Sequence, residues 1–417
     1  MAEPSVWTER MLEALETGVQ GGKWFSLIDK VYAERTLRAA FDRVKRNRGA
    51  AGVDHVTVER FGSRLEEEIE KLSRSLREET YRPQAVRRRW IDKPGSHQQR
   101  PLGIPTVRDR VVQCALRWAL EPIFERDFAE HSYGFRPGRG CRAALVRVEE
   151  LLASGHTWVV DADLQSFFDT IDPERLLARV REKVTDGRVL GLIEQFLSQE
   201  VMDGLERWTP ERGTPQGAVL SPLLANIYLD PLDHLLAAEG FAMVRYADDF
   251  VILCRSESAA RRALALVQAW TAREGLTLHP DKTTVVDATQ RGGFDFLGYH
   301  FERGYKWPRA KSLGKLKDRV RSQTRRTSGH SLERILADVN RTLHGWHLYF
   351  QYSHPTTFRR LDGWVRMRLR SILRRRRGGR GRGRGRDHQR WPNAFFAEQG
   401  LLSLVAASAS VLQPSPR

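Results

Sequence analysis

The chain of 417 residues has few cysteines and no long apolar run, and its acidic side chains are fewer than its basic ones. Its three cysteines, Cys114, Cys141 and Cys254, are widely spaced and form no Cys-x-x-Cys pair. Neither a disulfide framework nor a cysteine-based zinc site is therefore indicated. Cys254 lies in an apolar stretch, and we interpret it as a small core residue.

Membrane and export signals are also missing from the sequence. Residues 1–6 lack a basic region followed by an apolar stretch, so we predict no signal peptide. The most apolar late stretch, residues 401–412, is too short and too rich in Ser and Ala to span a bilayer. We therefore expect no membrane association and a location in the reducing cytoplasm.

Positive charge is what the chain has in excess. It carries 69 Lys and Arg against 52 Asp and Glu, a formal net charge of +17 with a pI near 10.2. Such a balance favours a polyanionic partner, nucleic acid first, over the alternative of a merely basic soluble protein. The length predicts two or three domains with a sizeable core.

The most informative segment is residues 244–253, where Asp248 and Asp249 lie between two apolar runs rich in β-branched and aromatic residues. The pattern predicts a β-hairpin with both acids at its tip. At about 4 Å and an effective dielectric near 20, two such charges repel by roughly 4 kcal/mol, and a cation offsets that cost. The alternative is an ordinary Asp-Asp surface turn.

A second acidic segment lies upstream, in residues 158–169. A strand is predicted to end near Asp163, and Asp161 shares its parity, so both side chains could point to one face. Only a fold that brings two strands side by side joins these acids to Asp248. Convergent carboxylates of this kind are what a two-metal phosphoryl-transfer site needs, with ions ~3.5–4 Å apart.

Several sequence blocks follow one another in a characteristic order. They are RPLGIP at 100–105, SYGFRPGR at 132–139, the acidic segment at 161–169, GTPQG at 213–217 with LSP at 220–222, YADD at 246–249, HPDK at 279–282, FLGY at 296–299, GWHLYF at 345–350 and LDGW at 361–364. In these blocks the chain resembles the group II intron reverse transcriptases, also called intron-encoded maturases. The resemblance covers roughly residues 30 to 373.

The resemblance implies an α+β fold, a right-hand polymerase whose fingers and palm, with an antiparallel palm sheet, precede a three-helix thumb. The expected divisions are an N-terminal segment at 1–30, fingers and palm at 31–307, a thumb or maturase domain at 308–373, an Arg/Gly linker at 374–386 and a short C-terminal tail at 387–417. The helical patterns predict one helix at about 59–79 and another at about 107–128, broken near Pro122.

The resemblance also implies the catalytic groups. Asp163, Asp248 and Asp249 are expected to be the catalytic carboxylates and the ligands of two Mg²⁺ ions, with Asp161 structural. Phe168 matches the aromatic steric gate that would collide with a ribose 2′-OH. The alternative for Phe168 is a core residue beside Phe167.

Five further residues are implied to contact the incoming nucleotide. Gln216 would lie beside it, and Gly217 would permit close backbone approach. Lys93 and Arg100 match positions that clamp the triphosphate, although the turn between them is long and polar. Lys282 matches a lysine proposed to protonate pyrophosphate, with a solvated surface lysine as the alternative.

RNA contacts are expected from the basic C-terminal region. Arg359, Arg360 and Arg366 lie on a predicted thumb helix whose clustered arginines favour phosphate contacts over a merely solvated face. The Arg/Gly run at 374–386 should be disordered on its own and bind the RNA backbone through Arg380, Arg382, Arg384 and Arg386. The tail after it could dock back on the body, and the lack of late cysteines argues against a Cys/His-containing endonuclease.

The sequence thus predicts an RNA-directed DNA polymerase that copies group II intron RNA into DNA and binds that RNA tightly enough to aid splicing. Its expected partners are the intron RNA template, a DNA or RNA primer, deoxynucleoside triphosphates and a target DNA. Two alternatives stay open: a non-enzymatic RNA-binding maturase, and a reverse transcriptase repurposed in DNA repair or phage defence. Oligomeric state is not indicated.

Overall fold

The computed structural model describes residues 3–92, 99–214 and 216–412. The chain divides into two compact units, of which the first ends at Val286 and the second continues from Asp287. The predicted boundary between palm and thumb at 307/308 stays a prediction, since compactness alone divides the chain earlier. None of the described helices has the length and apolar character that a bilayer crossing requires.

The first unit mixes helices with two sheets around one apolar core. Its helices are α1 Glu9–Thr17, α2 Ile28–Tyr32, α3 Glu34–Arg46, α4 Val58–Gly62, α5 Leu65–Arg77, α6 Val107–Glu125, α7 Cys141–Ala153, α8 Phe167–Thr170, α9 Pro173–Arg181, α10 Gly187–Leu197, α11 Ser221–Ala238 and α12 Glu257–Arg273, with a 3₁₀ turn at Gln20–Gly22. Its strands are β1 Val86–Asp92, β2 Gln99–Ile104, β3 Trp158–Asp163, β4 Val201–Asp203, β5 Glu206–Trp208, β6 Ala242–Tyr246, β7 Asp249–Cys254 and β8 Thr284–Asp287.

The strands form two four-stranded sheets. One has the order β2-β1-β4-β5 and the other β6-β7-β3-β8. In the second sheet β7 is antiparallel to both β6 and β3, as the palm prediction required. The core beneath it includes α6 and α11, whose side chains are buried on most of their circumference.

Capping side chains fix the starts of two helices, and one cysteine lies in the core. Asp172 caps α9, where its side chain accepts from the backbone N–H of Glu174, and Pro173 is the first helical residue. Ser256 caps α12 in the same way. Cys254 is buried in β7, as expected of a core residue.

The predicted break at Pro122 is wrong, because α6 runs without interruption through that residue. A proline lacks an N–H, so the carbonyl four residues earlier, that of Trp118, loses its helical partner. The indole Nε1 of Trp7 donates to this carbonyl at 2.8 Å. The N-terminal segment therefore supplies a donor to a backbone carbonyl that has lost its helical partner.

The single helix predicted at 59–79 is also wrong in part, since two helices cover this region. Thr57 caps α4 and Ser63 ends it, while Arg64 has a non-helical backbone before α5 starts. The separation lets Phe61 of α4 stack on Phe41 of α3, with ring centroids 5.3 Å apart. Tertiary packing here outweighs a continuous helical pattern.

The second unit begins with a small antiparallel sheet and continues as a helical bundle. Its elements are β9 Phe294–Phe296, β10 Tyr299–Glu302, β11 Tyr305–Pro308, α13 Ala310–Gln323, α14 Leu332–Phe350, α15 Thr356–Arg376, α16 Arg386–Arg390, α17 Asn393–Glu398 and α18 Leu404–Leu412. The first three helices are the predicted thumb helices. Their apolar faces form a core that includes Val339, Leu343 and Leu369.

The C-terminal tail docks on these helices, in agreement with the prediction. Phe396 and Leu404 are fully buried in the same core. The backbone N–H of Leu404 donates to the carboxylate of Asp362 at 2.9 Å, and Asn340 donates to the carbonyl of Gly400 at 2.7 Å. The tail is thus an integral part of the second unit.

Candidate active site

Strand pairing brings the two acidic segments together. In the antiparallel register of β3 and β7, Asp163 lies directly opposite Asp249. The pairing of β6 with β7 places Tyr246 opposite Asp249, which leaves Ala247 and Asp248 as the two residues of the hairpin turn. All three predicted catalytic carboxylates therefore lie at one end of the palm sheet, and Asp161 lies two residues farther along β3, opposite Val251.

A buried arginine holds this turn in shape. Arg245 is fully buried, and its Nε donates to Asp233 of α11 at 2.7 Å. Its Nη1 donates to the carbonyl of Ala247 and to the side chain of Asn226, each at 2.9 Å. Ala247 has a left-handed φ of 61°, so a charge-assisted hydrogen bond stabilises a conformation that alanine adopts rarely.

The loop that follows α6 supports the same turn from outside the sheet. Tyr133 donates its backbone N–H to the carbonyl of Arg245 at 2.8 Å, and Asn226 donates to the carbonyl of Gly134 at 2.9 Å. A Cβ built on Gly134 would lie 2.1 Å from the backbone nitrogen of Ala247. Only glycine permits this close approach, which explains the glycine of the SYGFRPGR block.

The acids influence one another electrostatically. Burial raises the pKa of Asp248, and the charge of Asp163 raises it further, while its own backbone N–H and Arg245 act in the opposite sense. The three carboxylates offer oxygen ligands, which suit Mg²⁺. Within the described residues, no group of three or more His, Cys, Asp or Glu side chains is already spaced to hold a metal ion.

Lys282 contacts one of the acids directly. Its Nζ lies 2.6 Å from Oδ2 of Asp163. The predicted catalytic lysine thus lies at the acidic end of the sheet, and its first partner is a carboxylate of the site.

The two neighbouring phenylalanines differ in environment. Phe167 is buried, 2% exposed, and its ring lies 6.4 Å from that of Tyr228 in the core. Phe168 is only partly buried and meets Phe167 edge to face at 5.3 Å. The carbonyl of Phe168 accepts from the N–H of Thr214 at 2.7 Å, so the backbone of the predicted gate is fastened to the GTPQG loop.

The GTPQG loop is fixed against β2. Gly103 donates its N–H to the carbonyl of Gln216 at 2.7 Å, and Gly217 has a φ of 109°. A Cβ on Gly217 would meet the carbonyl oxygen of Gly103 at 2.7 Å. The side-chain amide of Gln216 donates to Asp169 at 3.5 Å, at a pocket of about 270 Å³.

Arg100 lies on β2 opposite Ile91 of β1, with an exposed side chain. Arg89 and Arg87 share the face of Ile91 and Arg100, because every second residue of a strand points to the same face of the sheet. Lys93, the other predicted triphosphate contact, lies outside the described residues.

The arginines of α15 divide into two groups. Arg359 and Arg360 are exposed. Arg366 lies 3.9 Å from the buried carboxylate of Asp362, Arg368 donates to the carbonyl of Thr324 at 2.8 Å, and Arg370 donates to that of Trp391 at 2.8 Å. Arg368 and Arg370 thus join α15 to other parts of the second unit, whereas Arg366 is paired within α15 and the first group is exposed.

The prediction that the Arg/Gly run is disordered is wrong, because residues 374–386 fold around one carboxylate. Asp387 is buried, and it accepts from Nη1 of Arg374 at 2.6 Å and from the backbone N–H of Arg384 at 3.0 Å. These donors lower its pKa, the backbone hydrogen bond more than the ion pair. The run folds compactly, since a Cβ on Gly383 would lie 2.8 Å from Cβ of Arg370. The four predicted RNA-contacting arginines are all exposed: Arg380, Arg382, Arg384 and Arg386.

Comparison with known protein families shows to which family the chain belongs. The family model described as reverse transcriptase (RNA-dependent DNA polymerase) matches residues 91–301, slightly more than half of the chain. The chain belongs to the reverse transcriptase family. A second model, the group II intron maturase-specific domain, matches residues 313–391 and includes the folded Arg/Gly run.

Individual relatives agree with this assignment. The group II intron-encoded protein LtrA of Lactococcus lactis subsp. cremoris is 41% identical over 199 residues, which are 47% of this chain and 33% of that protein. Protein YkfC of Escherichia coli K12 is 35% identical over 293 residues, covering 60% of this chain and 76% of the relative. A solved partial Cas6-RT-Cas1–Cas2 complex is similar at 25% identity over 59% of this chain and 42% of that one, with a TM-score of 0.38.

The sequence-based interpretation of this reverse transcriptase missed the residues that support the acids. Arg245, Asp233, Asn226 and Gly134 were not predicted, although each contacts the acidic turn or Arg245, which holds that turn. One signal was present in the sequence. A lone arginine within the apolar run of β6 must be paired if the strand is buried, and its partner could be sought among the acids of the preceding helix.

Proposed function

We propose that the chain is an RNA-directed DNA polymerase that copies group II intron RNA into DNA, and that its second unit binds the intron RNA and assists splicing. The observation that carries the polymerase half is the register of the palm sheet, in which Asp163 faces Asp249 and Asp248 occupies the turn beside it. A fold that served only as scaffold would have no need to crowd three carboxylates at one end of a sheet.

Carboxylate oxygens are the donors that Mg²⁺ prefers, so this set suits two Mg²⁺ ions by its chemistry. Asp163 and Asp248 would hold them, with Asp249 supporting or sharing the coordination. The raised pKa of Asp248, caused by burial and then by Asp163, supports this assignment because a divalent cation would relieve both effects. When bound, the ions would activate the attacking hydroxyl and stabilise charge on the leaving phosphate.

The remaining residues would position the nucleotide. Phe168 is partly buried and follows Asp163 by five residues, and its ring would exclude a ribose 2′-OH. Gln216 and the backbone at Gly217 would line the sugar and base. Arg100, and Lys93 outside the described residues, would hold the triphosphate by charge.

The maturase half of the proposal is supported by charge and by the matched domain. The second unit displays the exposed arginines of α15 and of the Arg/Gly run, which suit an RNA backbone. The match spans only a third of the length of LtrA, so the proposal concerns this chain and not the full activity of that relative.

Primer extension on an RNA template, with Mg²⁺ present, tests the polymerase. Asp163→Asn or Asp248→Asn should reduce DNA synthesis about a thousandfold or more, since several kcal/mol of transition-state stabilisation are lost. RNA affinity should stay intact or rise slightly, because a negative charge is removed.

The matched control is Asp161→Asn, which removes the same charge from the same strand two residues away. Folded Asp161→Asn protein should retain synthesis. If either catalytic variant extends primers at more than a trace, the assignment of these acids is wrong. If wild-type protein makes no DNA but binds and splices its intron RNA, the chain is a maturase without polymerase activity.

A further inference from the structure

The position of Lys282 is imposed by the backbone and not by its side chain alone. After the catalytic strand, Gln165 donates its N–H to the carbonyl of Thr277 at 2.8 Å, and His279 donates to the carbonyl of Asp163 at 2.8 Å. Leu164 and Leu278 form an antiparallel bridge between these two bonds. The segment before Lys282 is thus paired with the very residue whose carboxylate the lysine contacts.

A turn then returns Lys282 toward the acids. The backbone N–H groups of Lys282 and Thr283 both donate to the carbonyl of His279, at 3.3 and 3.0 Å. Nζ of Lys282 reaches Oδ2 of Asp163 at 2.6 Å, although 58% of the lysine side chain and 39% of the aspartate side chain are exposed. The backbone around the contact is fixed by hydrogen bonds, while the two side chains are exposed to solvent. Exposed ion pairs of this kind are weak.

We propose that Lys282 is the exchangeable counterion of Asp163. In the free protein its ammonium neutralises the carboxylate, and a divalent cation that binds Asp163 must displace it. This inference rests on the proposed metal site, and it adds a role for the lysine before any chemistry occurs.

The exchange would couple metal binding to nucleotide binding. A bare cation has to break the ion pair and leaves the ammonium without a partner. A cation that arrives with a triphosphate brings negative charge that the displaced ammonium can meet, because the anchored turn keeps Nζ within one side-chain length of Asp163. Binding of metal and nucleotide would then favour each other, and this coupling is reciprocal by thermodynamic linkage.

Metal binding to the full chain without nucleic acid or nucleotide tests the proposal. The probe is Mn²⁺, with the free ion measured by electron paramagnetic resonance at low ionic strength. Lys282→Met should lower the dissociation constant for Mn²⁺ about threefold, a size typical for release of an exposed ion pair. Lys282→Arg keeps the charge and should stay near the wild-type value.

Lys183→Met is the matched control. Nζ of Lys183 also lies 2.6 Å from an aspartate oxygen, that of Asp127, so the same charge and an ion pair of the same length are removed. The dissociation constant should be unchanged in this variant. An unchanged value in Lys282→Met, or an equal decrease in Lys183→Met, would overturn the proposal.

Asp163→Asn separates this inference from the proposed function. If that variant binds Mn²⁺ as the wild type does, the metal site itself is wrongly assigned and both proposals fail. If it loses Mn²⁺ binding while Lys282→Met leaves the dissociation constant unchanged, only the counterion role is refuted. A second arm adds a deoxynucleoside triphosphate, which should tighten Mn²⁺ binding less in Lys282→Met than in the wild type.

Discussion

The palm hairpin and the Arg/Gly run are opposite in charge but alike in construction. The hairpin crowds acids around Asp248, and the run crowds arginines after α15. Each is held by one buried residue of the opposite charge. This residue is Arg245 within the hairpin and Asp387 directly after the run. In both places that residue binds backbone as well as side chains, the carbonyl of Ala247 in one case and the N–H of Arg384 in the other.

This likeness suggests how a charged surface can be given a defined shape. Like charges repel and would spread a flexible turn. A buried counter-charge that also hydrogen-bonds the turn fixes its backbone, and the exposed charges then point outward from a known conformation. In the palm hairpin the cost of removing the buried arginine is high, because its partner Asp233 is buried too.

The largest expected effect is therefore at Arg245. Arg245→Met leaves Asp233 buried and unpaired, which should lower the free energy of unfolding by about 3–5 kcal/mol. Denaturant unfolding followed by circular dichroism would measure it. Adding Asp233→Leu should restore much of the stability, since both charges are then gone. A decrease below about 1 kcal/mol in the single variant would show that the hairpin does not need its buried counter-charge.

The second-largest effect concerns the selection of the nucleotide sugar at the acidic end of the palm sheet. If Phe168 is the steric gate, Phe168→Val should raise ribonucleotide use relative to deoxynucleotide use about tenfold or more. Phe167→Val is the control, and it should destabilise the protein without altering sugar choice, because Phe167 lies in the core. Single-nucleotide incorporation with each sugar measures both. The opposite result would place the gate one residue earlier.

For the Arg/Gly run, the comparison can be tested by whether one substitution raises or lowers the affinity for RNA. Asp387→Asn removes a negative charge, so affinity for RNA should rise if charge alone matters. If the folded run is needed, affinity should instead fall, by about threefold to tenfold for a loss of about 1 kcal/mol. Asp338→Asn removes the same charge from the paired surface acid beside Arg334 and Arg341 and should not weaken binding. Filter binding at fixed salt would distinguish the two.

The smallest effect concerns the arginines of α15. Replacing Arg359 and Arg360 by Ser should reduce the slope of log affinity against log salt by about one unit for each phosphate that is no longer neutralised. Arg368→Ser should lower thermal stability and leave the slope unchanged, since its guanidinium is engaged by Thr324. Equal slopes for all variants would mean that the exposed pair faces solvent only.

The features that could be predicted from the sequence were those set by local patterns or by a family motif. The hairpin and the strand ending at Asp163 follow from periodicity, while the grouping of the acids followed from the family resemblance. The missed features join distant residues. The lone arginine of β6 signals a partner among the acids of α11, but the sequence does not distinguish Asp233 from Asp230. Composition alone could not show that Asp387 orders the Arg/Gly run.

The hydrogen bond from Trp7 to the carbonyl of Trp118 has a consequence for biosynthesis. The two residues are 111 positions apart. During translation at about 5–20 residues per second, the indole leaves the ribosome on the order of 10 s before its acceptor exists. Until then Trp7 lacks this hydrogen-bond partner, although Trp24, whose ring centroid lies 5.3 Å from that of Trp7, is made much sooner. The contacts of Trp7 are therefore complete only after the proline-containing helix α6 has been synthesised.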